Sequence, residues 1–215
     1  YAAFLNAVAK KDTHKLYNVE MRKYGIVRAG RPGNWTYRVR SGFERNPVSY
    51  VCFLDAIRFA NWLTNGQPTG SQGKGTTETG AYTLTADRID NNTVTRGSWY
   101  DAAVGNTSDR TVFAVPSEDE WYKAAYYDGY GAYTDYPTQS YTAPIAEKPP
   151  GGKKSANYRK AVGSVTEVGA YTKSESYYGT FDQGGNVSEW NDDMLYISDR
   201  LLLGGSFNSG DVELQ

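Results

Sequence analysis

Apolar positions recur at helical spacing in three places. Tyr1, Phe4, Leu5 and Val8 share one face and predict a short amphipathic helix over 1–9. Ala56, Phe59, Ala60 and Leu63 repeat at i, i+3, i+4 and i+7, with Trp62 near the end and Asn65-Gly66 as a stop. Trp121, Ala124 and Ala125 predict a third inward face. It is preceded by Ser117-Glu118-Asp119-Glu120, a capping box with Ser117 as N-cap and Glu120 at N3, and closed by Asp128-Gly129. The acids of that first turn suit the helix dipole, so capping explains Glu120 better than a general-acid role.

Between the helices the apolar runs are short. Strands are predicted at Thr36–Val39, Gly80–Thr85 and Thr93–Tyr100, and Val48–Val51 is β-prone. Val112–Val115, ended by Pro116, reads as a buried strand. One more is expected to end at 168–171, and Leu201–Phe207 reads as a buried strand with a glycine break. Residues 66–110 are rich in Gly, Thr, Ser and Asn and predict a long irregular connection. Residues 126–141 carry six tyrosines with no period of 3.6 or 2, an aromatic loop able to stack on sugar rings or a protein partner, or simply to cover the protein's own loops. Few helices and many short strands give an α+β class. No repeat stands out.

Composition narrows the functions. The 215 residues carry 23 basic and 24 acidic side chains, so no basic face recruits nucleic acid. No apolar run is long enough to span a bilayer. The one cysteine, Cys52, excludes an internal disulfide or a Cys-rich zinc site and is expected to be a small buried residue. The one histidine, His14, argues against a His-based triad or a multi-His metal site. With 19 tyrosines and 23 glycines among abundant Ser, Thr and Asn, the composition suits a secreted or cell-surface protein. No leader is visible, and a chain that starts without Met leaves room for one removed in processing.

The stretch Gly179–Trp190 holds the densest chemistry: Asp182 and Glu189, the pair Gly184-Gly185, and the aromatics Phe181 and Trp190. Glycines that accept positive φ let the backbone fold back, bringing both acids and the intervening carbonyls round one point. Hard cations take such an oxygen cage, closed here by Phe181 and Trp190 beneath it. A tight glycine turn with solvated acids is the alternative.

Four blocks then occur in order: Pro47–Ala56 with Asn61-Trp62-Leu63, Val115–Ala125, Gly185–Trp190, and Leu203–Phe207. Together they resemble the formylglycine-generating enzyme family, the sulfatase-modifying factor domain, over nearly the whole chain. The resemblance implies a single domain over 1–215 with a fold related to that of C-type lectins. It implies a structural calcium at Asp182, the carbonyls of Gly185 and Val187, and Glu189. A second family calcium site would begin at Asn157 and the Tyr158 carbonyl, but Ala161–Thr166 lacks the acid expected there. The family's active members oxidise a substrate cysteine with a copper-binding cysteine pair placed shortly after the Gly-Gly-Ser-Phe segment. Ser209 and Leu214 stand at those two positions, and neither binds Cu(I) as a thiolate does, so copper is disfavoured. The family's opening strand before Tyr1 and its closing strand after Gln215 are missing from the sequence, and the expectation is a longer chain or strands supplied by neighbours.

The expected function is therefore a non-catalytic binding or structural module on this scaffold, exported or surface-exposed and stabilised by calcium. It would bind a protein or glycan ligand, with Tyr130, Tyr133 and Tyr136 as the candidate contact surface. The alternatives are a formylglycine-generating oxidase acting on sulfatase cysteines and a subunit of an extracellular assembly completed by neighbouring strands.

Overall fold

The computed structural model describes residues 1–97, 111–196 and 199–215. The chain forms two compact units, one of residues 1–44 and 48–115, the other of residues 45–47 and 116–215. Helices are few and short, and the strands pair only as two-stranded sheets among the described residues, so the class is α+β.

The first unit contains α1 (Ala2–Val8), β1 (Ile26–Ala29), β2 (Thr36–Val39), α2 (Phe53–Thr64) and α3 (Ala86–Asp90). The periodic faces of α1 and α2 meet: Phe4, Leu5, Val8 and Trp62 are buried with Leu16, Met21 and Tyr37, and the Phe4 and Trp62 rings lie 5.3 Å apart. β1 and β2 form an antiparallel hairpin, Ile26 opposite Val39 and Ala29 opposite Thr36. Asp55 Oδ2 accepts the Cys52 N–H at 3.1 Å, so the acid caps α2.

The long connection after α2 is held by polar side chains instead of a ladder. Buried Asn61 donates to the Thr77 and Tyr82 carbonyls at 2.8 and 3.1 Å and accepts the Tyr82 N–H at 2.8 Å. Arg58 grips Glu78 through Nε–Oε1 at 2.8 Å and Nη2–Oε2 at 3.2 Å.

Several expectations change here. Cys52 is exposed, because the N-cap position leaves its side chain at the helix mouth. Val48–Val51 forms no strand. The 80–85 and 93–100 stretches contribute only isolated bridges, Thr79 to Thr83 and Tyr82 to Arg96, and residues 98–100 lie outside the described residues. Val112–Val115 is not a strand either: its backbone is claimed by side chains, with Thr64 Oγ1 pairing with the Phe113 N–H and the Tyr82 hydroxyl accepting the Val115 N–H at 3.1 Å.

The second unit contains α4 (Glu118–Tyr126), the two-residue parallel pair β3 (Ile145–Ala146) and β4 (Ser155–Ala156), and the antiparallel pair β5 (Glu189–Met194) and β6 (Arg200–Leu203). The capping box opens α4: Ser117 Oγ accepts the Glu120 N–H at 3.2 Å and Glu120 Oε2 accepts the Ser117 N–H at 2.8 Å. Trp121, Ala125 and Tyr126 are buried against Leu203, and Tyr136, Ala156, Tyr158 and Leu214 form a neighbouring cluster. The Tyr126 hydroxyl joins the two by donating to the Leu214 carbonyl at 3.1 Å. The segment expected to be a strand ending at 168–171 is turn and coil, and in the predicted strand 201–207 only the part up to Leu203 is strand. No described helix is long and apolar enough to cross a membrane.

Candidate metal centre

The loop between Gly179 and β5 folds back through three residues at positive φ: Asp182 at 62°, Gly185 at 90° and Asn186 at 59°. Gly185 requires glycine for want of space, since a Cβ there would collide with the Asn157 carbonyl oxygen, and a Cβ at neighbouring Gly184 would strike the Pro137 ring. Three backbone hydrogen bonds anchor the fold-back. Gly185 N donates to Gly204 O at 2.7 Å, Asn186 N to Asn157 O at 2.8 Å, and Phe207 N to Asn186 O at 3.0 Å. The Asn186 side chain completes the anchor: Oδ1 accepts the Thr166 N–H at 2.9 Å and an Asn157 Nδ2–H at 3.3 Å.

Both acids of the loop are partly buried and each has one neutral donor. Glu189 Oε2 accepts the Trp121 indole N–H at 2.6 Å, and Asp182 Oδ2 accepts the Gly169 N–H at 2.6 Å. No lysine or arginine among the described residues pairs with either. Loss of water raises the Asp182 carboxyl. It raises Glu189 further, to about 7: burial acts first, the Trp121 hydrogen bond pulls the other way, and the charge of Asp182 adds to the rise. Two desolvated carboxyls, one of them feeling the charge of the other, with no cationic side chain among the described residues, form a site short of positive charge.

The carbonyls between them tell the same story. Neither the Gly185 nor the Val187 oxygen accepts a hydrogen bond from a described residue, although Gly185 is buried. Buried carbonyls are nearly always paired, so that of Gly185 calls for another partner. Asp182 also borders a small polar cavity of about 10 Å³ beside Thr138, whose buried Oγ1 has no partner. No three His, Cys, Asp or Glu side chains converge among the described residues. A cation here would be held by two carboxylates and backbone oxygens, a donor set suited to calcium and not to a soft metal.

The second predicted site is different. The Asn157 carbonyl is taken by Asn186 N, its Nδ2 donates to Ser164 O at 2.8 Å, and its Oδ1 is buried without a partner. The Tyr158 carbonyl accepts the Ala161 N–H at 3.0 Å. The nearest following acid, Glu167, lies 3.9 Å from Arg45, so Asn157 acts here as a brace for the first loop.

The positions after Gly204-Gly205-Ser206-Phe207 are filled tightly. Ser209 Oγ accepts the Ser206 N–H at 2.9 Å, and the Ser209 carbonyl accepts the Arg159 N–H at 2.9 Å. Leu214 is fully buried against Tyr136, Ala156 and Tyr158. Gly204, at φ 81°, passes so close to the Gln183 carbonyl that a Cβ would collide with it, which ties this segment to the metal loop.

The family model of the sulfatase-modifying factor enzyme 1-like domain matches residues 1–213. The chain belongs to that family. No curated protein and no solved structure matches it. Within the sulfatase-modifying factor fold, Asp182, Gly185, Val187 and Glu189 thus lie on one folded-back loop, and Ser209 and Leu214 on the segment that follows β6.

The tyrosine surface is partly relocated. Tyr130 is 94% exposed and Tyr133 is exposed, but Tyr136 is 6% exposed and belongs to the core, where its hydroxyl accepts a Gln215 Nε2–H at 3.0 Å. Tyr127, already in the predicted aromatic loop, joins Tyr133, but sequence reasoning missed Tyr122, Tyr177 and Tyr178, whose rings adjoin Tyr133 directly or through Tyr127. It also missed Trp121 as the donor to Glu189. That pairing spans 68 residues, and no local pattern signals it.

Proposed function

We propose that this sulfatase-modifying factor domain is a non-catalytic binding or structural module, working outside the cell or at its surface and stabilised by calcium in the loop from Asp182 to Glu189. One observation carries the reading. Where the family's oxidases place two thiols, this chain has Ser209 in a tight turn and Leu214 sealed in an apolar cluster. Cu(I) needs soft sulfur ligands, and neither a hydroxyl nor an isobutyl group supplies one. The sole cysteine, Cys52, lies at the start of α2, on a different compact unit from Ser209 and Leu214.

The cation reading rests on donor chemistry. Asp182, Glu189 and the Gly185 and Val187 carbonyls offer four hard oxygen ligands, two of them carboxylates, with no side-chain cation among the described residues to balance them. When bound, calcium would supply the missing positive charge and fix the fold-back. The test of function is incubation with copper and a Cys-x-Pro-x-Arg peptide, read by mass spectrometry. Unchanged thiol is the expected product, and copper-dependent aldehyde would overturn the reading.

A second reading has its own support. Every described sheet has only two strands, and Met194, Leu195, Tyr196 and Leu202 of the β5–β6 hairpin are exposed. An open apolar edge is a template for strand addition, which fits a subunit completed by its neighbours. Concentration-dependent assembly in light scattering tests this, and a monomer at all concentrations contradicts it.

A further inference from the structure

Five tyrosine rings of the second unit form one continuous surface array. Tyr122 on α4 meets Tyr133 at 5.2 Å, Tyr133 meets Tyr127 at 5.7 Å, and Tyr127 meets Tyr177 at 5.6 Å and Tyr178 at 5.9 Å. Tyr177 and Tyr178 close the group at 5.2 Å. Four of the five are exposed, and Tyr127 at the centre is intermediate.

The array is braced from below. Tyr122 rests on the buried Tyr126 ring at 4.6 Å. Gly129 passes so close beneath Tyr177 that any side chain at 129 would strike the ring. Asp128 shapes the intervening loop by accepting the Tyr130 and Ala132 N–H groups at 2.8 and 3.0 Å, and the Tyr130 hydrogen bond is the chief cause that holds its carboxyl below the usual range. Rings fixed in advance lose little freedom when they bind.

Two properties define the occupant. None of the five rings carries a charge or contacts a lysine or arginine head among the described cation–ring pairs. None of their hydroxyls takes part in a hydrogen bond with a described residue. An aliphatic partner would strip water from these hydroxyls and return nothing. A polyproline segment offers carbonyls but no N–H, so it can accept from them and not donate. A pyranose ring presents an apolar C–H face for stacking, and hydroxyls that both donate and accept at its rim.

We propose that Tyr122, Tyr127, Tyr133, Tyr177 and Tyr178 form a stacking platform for a neutral oligosaccharide, which rests on the binding-module reading above. Calcium-loaded protein is titrated calorimetrically with cello-, xylo-, manno-, laminari- and chitohexaose, and in parallel with a decaproline peptide. At least one hexasaccharide binds. Tyr133→Ala and Tyr177→Ala each weaken it about tenfold through the lost stacking face. Tyr178→Phe, which leaves the packing intact, weakens it a few-fold through the lost hydroxyl. The proposal is overturned if no hexasaccharide binds, or if binding is unchanged in Tyr178→Phe and in both alanine variants. Binding of decaproline in place of every sugar also overturns it while leaving the binding-module reading in place. Only aldehyde formation on the cysteine peptide removes that broader reading.

Discussion

Replacing Glu189 by Gln should change the sign of its effect on stability with calcium. The unfolded carboxyl titrates near 4.5 and the folded one near 7. At low pH both states are protonated and the difference vanishes. As pH rises past 4.5 the unfolded chain ionises first, so the cation-free fold loses stability until the folded carboxyl also ionises above about 7. A shift of 2.5 units at about 1.4 kcal/mol each amounts to roughly 3 kcal/mol, most of it lost between pH 5 and 8. For a chain of this size that is a fall in Tm of about 6–12 °C. The raised Asp182 carboxyl pushes in the same direction. Glutamine keeps an oxygen for the Trp121 indole and removes the charge. In chelator at pH 8, Glu189→Gln therefore melts above the native protein, and near pH 5 the gap closes. At calcium a thousand times its Kd the order reverses, because the ligand then contributes about 4.1 kcal/mol to the native loop, more than the charge costs, and little to the variant. Differential scanning fluorimetry at pH 5 and 8, with calcium and with chelator, reads all four conditions. A chelated native protein with the same Tm at both pH values would refute the reasoning. So would a variant that melts lower under every condition.

Three further outcomes follow from the same geometry. Gly185→Ala should cost about 2–4 kcal/mol in urea unfolding, since its Cβ strikes the Asn157 carbonyl at a φ of 90°. Trp121→Phe keeps an aromatic in the cluster but removes the indole donor, so stability should fall by roughly 1–2 kcal/mol and the Glu189 titration midpoint, followed by NMR, should rise. Leu214→Ala should cost about 2–5 kcal/mol in the same unfolding assay, because Leu214 is a fully buried core residue; a near-neutral result would reopen the position as a functional one.

The parts of the fold legible in the sequence are those governed by local rules. α1, α2 and α4 follow from apolar spacing with a cap or a stop, and the Ser117–Glu120 box appears as read. The strands were less legible because their backbone partners are distant. Val112–Val115 has the composition of a strand, yet its N–H groups are taken by Thr64 and Tyr82, and β1 is a four-residue piece between Gly25 and Gly30 with no alternation to mark it. Cys52 was expected inside because free cysteines usually are, but the helix start it caps lies at the surface. In the loop, the glycine pair and the two acids were visible as a fold-back. What the sequence hid were the contacts that give the acids their chemistry: the Trp121 indole, the Gly169 amide and, among the described residues, the absence of any paired cation. The tyrosine surface was visible as composition only. Spacing could not tell that Tyr136 turns inward while Tyr177 and Tyr178, some forty residues on, complete the array.

Calorimetric titration of chelator-stripped protein with calcium bears most directly on the oxygen-lined loop at the centre of this account. One calcium per chain should bind the native protein at neutral pH, with proton release as Glu189 ionises, and none should bind the double variant Asp182→Asn, Glu189→Gln. Equal calcium binding by the double variant, or no binding by the native chain, would contradict it.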